Sequence, residues 1–167
     1  MGKAQAFVVK PVHAAPDGTD YAEVASYQQE TAALLREVAN AREELGRSSD
    51  LLRHMKAAAV EAPRAEPSLF ARLDDFGAEL SRLGTRLSGD QVRGRLNETV
   101  SPSISGRAHN AANTWHTTHA ATATQRADLA IAKADFAAFS ADLEALLNND
   151  LARLEADLSV AGAPSWR

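Results

Sequence analysis

Apolar residues recur every three or four positions through four stretches of this chain, and the longest stretch closes it. From Thr124 to Ala161, the residues Phe136, Phe139, Leu143, Leu146, Leu147, Leu151, Leu154 and Leu158 fall on one stripe of an α-helix. Asp, Glu, Arg and Asn occupy the other side. At 1.5 Å per residue such a helix runs about 57 Å, and a stripe of that length needs partners of similar length.

The other stretches supply them. From about residue 19 to 61, Val24, Thr31, Val38, Leu45, Leu52 and Ala59 are seven apart, with Tyr27, Leu34, Ala41 and Met55 at the complementary spacing. That is a coiled-coil-like seam opened by a Thr19 or Asp20 cap. Gly46 and Ser48-Ser49 weaken its middle, and a bend or local fraying is expected there. Two prolines in residues 62–67 break the chain. Ser68 is expected to cap a second helix, 69–88, whose stripe is Leu69, Leu73, Phe76, Leu80, Leu83 and Leu87. Residues 91–101 read as irregular, anchored by Val92, Leu96 and Val100. Pro102 suits the first turn of a third helix, 102–118, with Ile104, Ala108, Ala111, Ala112 and Trp115 facing inward. Thr124 is the expected cap of the last helix, and Gly162-Ala163-Pro164 its stop.

These lengths predict the architecture. The second and third helices, placed end to end, nearly match either long one. The fold class is therefore all-α: a long antiparallel helical bundle of three layers, its middle element broken in two at 89–101. A compact four-helix bundle is the rival, but it leaves the ends of the long helices uncovered. Residues 4–12 read as a short strand ending at Pro11, followed by a Pro16-Asp17-Gly18 turn. A lone strand is not stable by itself. Residues 1–18 are thus expected to be the remnant of a preceding β-domain, and 19–167 the bundle.

Composition agrees with helix and removes several functions. Of 167 residues 35 are Ala and 18 Leu, against 2 Ile and 9 Val, which favours helix over sheet. The net charge of −4, with Lys and Arg scattered among acids, suits neither a nucleic-acid surface nor a polybasic membrane patch. No apolar run approaches the roughly 18 residues of a membrane span. Without Cys there is no thiolate zinc site or cysteine nucleophile.

Candidate chemistry is sparse. His109, His116 and His119 are spaced to share a helix face, and imidazole is a common metal ligand. No Asp or Glu lies between Thr99 and Asp128 to complete such a site, so these read as polar caps or surface groups. Asp74 and Asp75 point about 100° apart on a helix and cannot face one another as an acid pair. With Glu79 they read as a solvated face. Asn148-Asn149-Asp150 reads as surface, or as a polar spot that sets register. Ser101, Ser103 and Ser105 lack a nucleophile elbow around them. Asn97-Glu98-Thr99 fits the glycosylation pattern, a short match common by chance. Trp115 is expected to plug the core. Trp166 is expected to be a loose tail or an anchor onto a neighbouring domain. No catalytic, cofactor-binding or metal-ligating residue is assigned.

The order of features resembles the C-terminal region of sortilin-like BNR-repeat proteins, bacterial β-propellers often labelled glycosyl hydrolases. FVVKPV (7–12) resembles the end of the small β-sandwich preceding their helical tail. Residues 21–45 resemble the tail's first long helix, residues 121–158 its last, and GAPSW (162–166) its usual ending. Residues 89–120 depart most from that pattern. The resemblance implies that the propeller lies upstream, and no Asp-box (Ser-x-Asp-x-Gly-x-Thr-Trp) occurs here. The implied role is a non-enzymatic accessory domain that packs on its own propeller or a neighbouring subunit. The alternative is a free-standing bundle that self-associates or binds a partner helix.

Overall fold

The structure, a computed structural model, describes residues 19–96, 98–114 and 119–166. The expected strand and turn of residues 1–18 and the expected core position of Trp115 lie outside these. Among the described residues all regular structure is helical. Helix α1 spans Tyr21–Glu61, α2 Pro67–Ser88, α3 Gln91–Arg95, α4 Ile104–Ala112 and α5 Ala123–Ala145. A π-helical turn, Leu146–Leu151, leads directly into α6, Ala152–Ala161.

Ion pairs fix how the helices run. Lys56 reaches Asp74, and Arg42 Nε donates to Ser88 Oγ, so α2 returns antiparallel to α1. Arg107 meets Asp128, Arg86 meets Asp142 and Arg72 meets Asp157, so α5–α6 runs antiparallel to α4 and α2. Arg126 meets Glu23 and Lys133 meets Glu30, which makes the two outer elements parallel to each other. The middle element is the end-to-end pair α2 and α4, broken as the lengths require. Each of the three elements touches the other two.

The stripes lie where periodicity put them. All six α2 positions, Leu69 to Leu87, are buried. On α1, Val24, Thr31, Val38, Leu45, Leu52 and Ala59 are buried along with Tyr27, Leu34 and Met55. Ser48 is buried as well, because it continues the Tyr27–Leu34–Ala41–Met55 register. In the last element Phe139, Leu143, Leu146, Leu154 and Leu158 are buried, and Phe136, Leu147 and Leu151 pack at the core's edge.

Several boundaries differ from the expected ones. Helix α1 is continuous through Gly46 and Ser48-Ser49, without the expected fraying, and Asp20 caps it by accepting from Ala22 N at 2.8 Å. Helix α2 starts at Pro67, not after a Ser68 cap. Proline's fixed φ suits the first helical position, and the capping residue Glu66 makes no side-chain bond. Residues 91–95 are helical because the Asp90 carboxylate accepts from Val92 N and Arg93 N. Helix α4 starts after Ser103, which accepts from Gly106 N at 3.1 Å, and ends at Ala112 rather than at 118.

The last element is capped by Thr122, not Thr124. Thr122 Oγ1 accepts from Gln125 N at 3.2 Å while Gln125 Oε1 accepts from Thr122 N at 2.9 Å. Thr124 has no such glutamine three residues on. Thr122→Ala is expected to cost about 1 kcal/mol, to be read from the shift of the urea midpoint. At the other end Gly162 adopts φ +75, where glycine is favoured. Arg64 closes this terminus by donating from Nη2 to the Val160 carbonyl at 2.7 Å.

Candidate functional site

Histidines 109 and 119 do not share a helix, because α4 ends before His119, which is exposed. His116 lies outside the described residues. His109 Nδ1 sits 2.7 Å from the Ser105 carbonyl and so carries the proton it donates there. Its 3.4 Å approach to Ser105 Oγ is therefore not that of a base toward a nucleophile. Ser105 Oγ instead accepts from Arg42 Nη2 at 3.0 Å. Arg42 thus ties the end of α2 to the start of α4 across the break. Ser103 is spent as a cap and Ser101 is exposed. Among the described residues no three of His, Cys, Asp and Glu are placed to hold a metal ion.

The acidic residues separate by face. Asp74 turns to Lys56 on α1. Asp75 and Glu79 turn the other way and line a groove of about 330 Å³ against the last element. Asp150 reaches the same groove from the π turn, beside Arg72 and Arg153. Sequence reading named Asp75, Glu79 and Asp150 but did not bring them together, because the π turn that carries Asp150 has no sequence signature. Glu79 is held by Arg82, with Arg82 Nε donating at 2.9 Å, and that bond lowers its pKa. Arg72 is held by Asp157 at 3.0 Å. The groove's floor, Phe76, Leu146 and Leu154, is buried. Around that floor the charges of Glu79 and Arg72 are engaged within the bundle, by Arg82 and Asp157.

A polar clamp at the other end of the bundle escaped sequence reading. Asp128 on α5 accepts from Arg107 Nη1 at 2.7 Å and from Asn110 Nδ2, both on α4. Next to it Tyr27 donates its hydroxyl to the Ala111 carbonyl at 3.0 Å, and the Arg126 guanidinium lies 5.7 Å over the Tyr27 ring. Burial is the main cause that raises the tyrosine pKa. These groups fasten α4 to both outer helices, and Tyr27 and Arg126 border a shallow groove of about 370 Å³ whose charged rim, Glu30 and Lys133, is already paired.

The two bonds from Asn110 and Arg107 hold the Asp128 carboxyl below its ordinary range. A depressed carboxylate contributes stability above its unfolded pKa and loses it as pH falls through the folded one. Asp128→Asn is therefore expected to destabilise the protein at pH 7. The difference from wild type should shrink at pH values below the ordinary aspartate pKa of about 3.9, which paired denaturation curves across pH 2–7 would check.

Trp166 is neither loose nor pointed away from its own chain. It lies half-buried against the bundle beside His54, Ala58 and Pro164. Its Nε1 has no hydrogen-bond partner among the described residues.

The unsatisfied apolar surface is at the break. Val92, Leu96 and Val100 are 65%, 66% and 38% exposed, not the anchors that their hydrophobicity predicts. The cause is geometric. With α2 and α4 stacked end to end, the intervening residues have no room in the core and leave through Gly89, whose φ is +87. Helix α3 consequently stands off the other helices. Val92 also borders a shallow groove of about 770 Å³ between α1 and α2, floored by Gly46, Gly77, Ser81 and Gly84. The chain matches no protein-family model, and neither a curated protein nor a solved structure is detectably similar to it.

Proposed function

We propose that this chain is a non-catalytic packing module, which meets another folded domain through the surface around the break in its middle element. The observation that carries this is the outward display of Val92, Leu96 and Val100. Val92 lies on the short helix and Leu96, four residues on, caps its end with its N–H on the Val92 carbonyl, so the two lie one turn apart. The backbone beneath them is fixed: Asp90 caps α3, Arg93 pairs with Glu98 at 2.7 Å, and Arg42 holds both flanking helices. Large apolar side chains on a preordered excursion bind with less ordering cost than a free loop.

The finer reading, an accessory domain of a sortilin-like BNR-repeat protein resting on its own propeller, is supported by the sequence resemblance alone. A second copy of the chain is the other occupant, favoured by the glycine-lined groove next to Val92. One set of variants tests both. Val92→Asp, Leu96→Asp and Val100→Asp together should leave the circular dichroism near wild type and lower the melting temperature little, because Val92 and Leu96 are about two-thirds exposed and Val100 is 38% exposed. The triple variant should lose binding to a separately expressed upstream propeller domain, measured by calorimetry. If the second copy is the partner, the variant instead abolishes a concentration-dependent dimer in sedimentation. Wild-type behaviour of the variant in both assays would contradict the proposal.

A further inference from the structure

The polar side-chain pairs that set helix direction also set helix level, and three separate weaknesses fall at one level. On α1 and α2, the pairs Arg42–Ser88 and Lys56–Asp74 place Gly46 opposite Gly84 and Ser49 opposite Ser81. On α2 and the last element, Arg86–Asp142 and Arg72–Asp157 place the Leu146–Leu151 π turn beside residues 78–83 of α2. Glycine/serine pairs and π turns are the usual sites where helices bend. All three long elements therefore carry a bending site within about one turn of each other.

Each site is weak for its own reason. Gly46 and Gly84 sit in helix interiors with no atom within 4 Å of an added Cβ, so no packing contact requires glycine at either. Ser49 Oγ donates back to the Leu45 carbonyl at 2.8 Å, competing with the helical bond at that carbonyl. The π turn inserts an extra residue among exposed Asn148 and Asn149. The core is thinner at the same level, because Ser48 takes a seam position between Ala41 and Met55, the residues one heptad to either side. Both grooves along α2, the 770 Å³ one against α1 and the 330 Å³ one against the last element, open there.

We infer that these features form one transverse hinge, at which the bundle bends as a unit between an Arg42–Asp128 half and a Lys56–Trp166 half. The hinge lets a long rigid module adjust its curvature to a surface. It does not depend on which surface that is, nor on the packing proposal.

Hydrogen exchange on the whole chain tests it. Amides of residues 45–52, 80–84 and 146–151 should exchange about tenfold faster than those of 31–38 and 136–143. The decisive variant is Gly46→Ala with Gly84→Ala, both at sites with room for the methyl group. In a single hinge it should slow exchange about fivefold or more in all three segments, including the π turn that neither residue touches. Residues 31–38 should change by less than about twofold. Slowing confined to α1 and α2 would mean independent local faults and would overturn the inference. So would uniform exchange across the wild-type bundle. Deleting Asn149, which removes the extra residue, should slow residues 45–52 in the same way. If that deletion does not fold, the alanine pair alone decides.

Discussion

Phe139→Ala is expected to remove about 3–5 kcal/mol of stability, the largest single loss in the molecule. Phe139 is 0% exposed at the centre of the last element. Its ring stacks on Phe136 with centroids 5.9 Å apart. Truncation removes the transfer free energy of the ring and leaves a cavity that the parallel and the antiparallel neighbour do not fully collapse into. Typical domains hold only about 5–15 kcal/mol in total, so the variant should be close to unfolding at 37 °C. Urea denaturation at fixed m-value reads the change directly. A loss below about 1 kcal/mol would place the ring at a solvated or adaptable site.

Leu80→Ala and Leu143→Ala are each expected to cost about 2–5 kcal/mol. Leu80 lies in the α2 stripe, Leu143 in the last element, and both are buried. Leu143 follows Asp142, which Arg86 of α2 holds at 2.6 Å, so the two stripes are stapled together at this point. Wild-type midpoints for both variants would mean that the stripes face solvent and that the helices are wrongly paired.

How much of this was legible depended on whether one helix alone carried the signal. The α2 stripe alternates spacings of four and three without a fault, and each of its members is buried. The α1 heptads were equally clear, as were the broken middle element and the stop at Gly162. Signals shared between neighbouring candidates were misjudged. Thr122 and Thr124 are both plausible caps, and only the reciprocal bond with Gln125 separates them. The π turn was not legible, because widening one helical turn leaves the leucine spacing nearly intact.

The exposed face was missed for a related reason. Hydrophobicity says that Val92, Leu96 and Val100 seek burial, but not whether the same chain provides it. Only the end-to-end stacking of α2 on α4, closed by Arg42, shows that the excursion is excluded from the core. The Arg107–Asn110–Asp128 clamp needed two helices to be placed before its members could be grouped. The charged groove at Asp75 and Asp150 was half visible, since its acids stood out singly while their convergence across α2 and the π turn did not.

The central claim is that this bundle works by presenting the surface of its break to another folded domain. The most direct measurement is a hydrogen-exchange footprint of the chain alone and in the presence of the proposed partner, an upstream propeller domain expressed separately. The account predicts added protection concentrated in residues 91–101 and along the neighbouring face of α1 and α2 around Gly46 and Gly84. Protection centred instead on the Asp75–Asp150 groove, on the Asp128 clamp, or nowhere on the chain would contradict it.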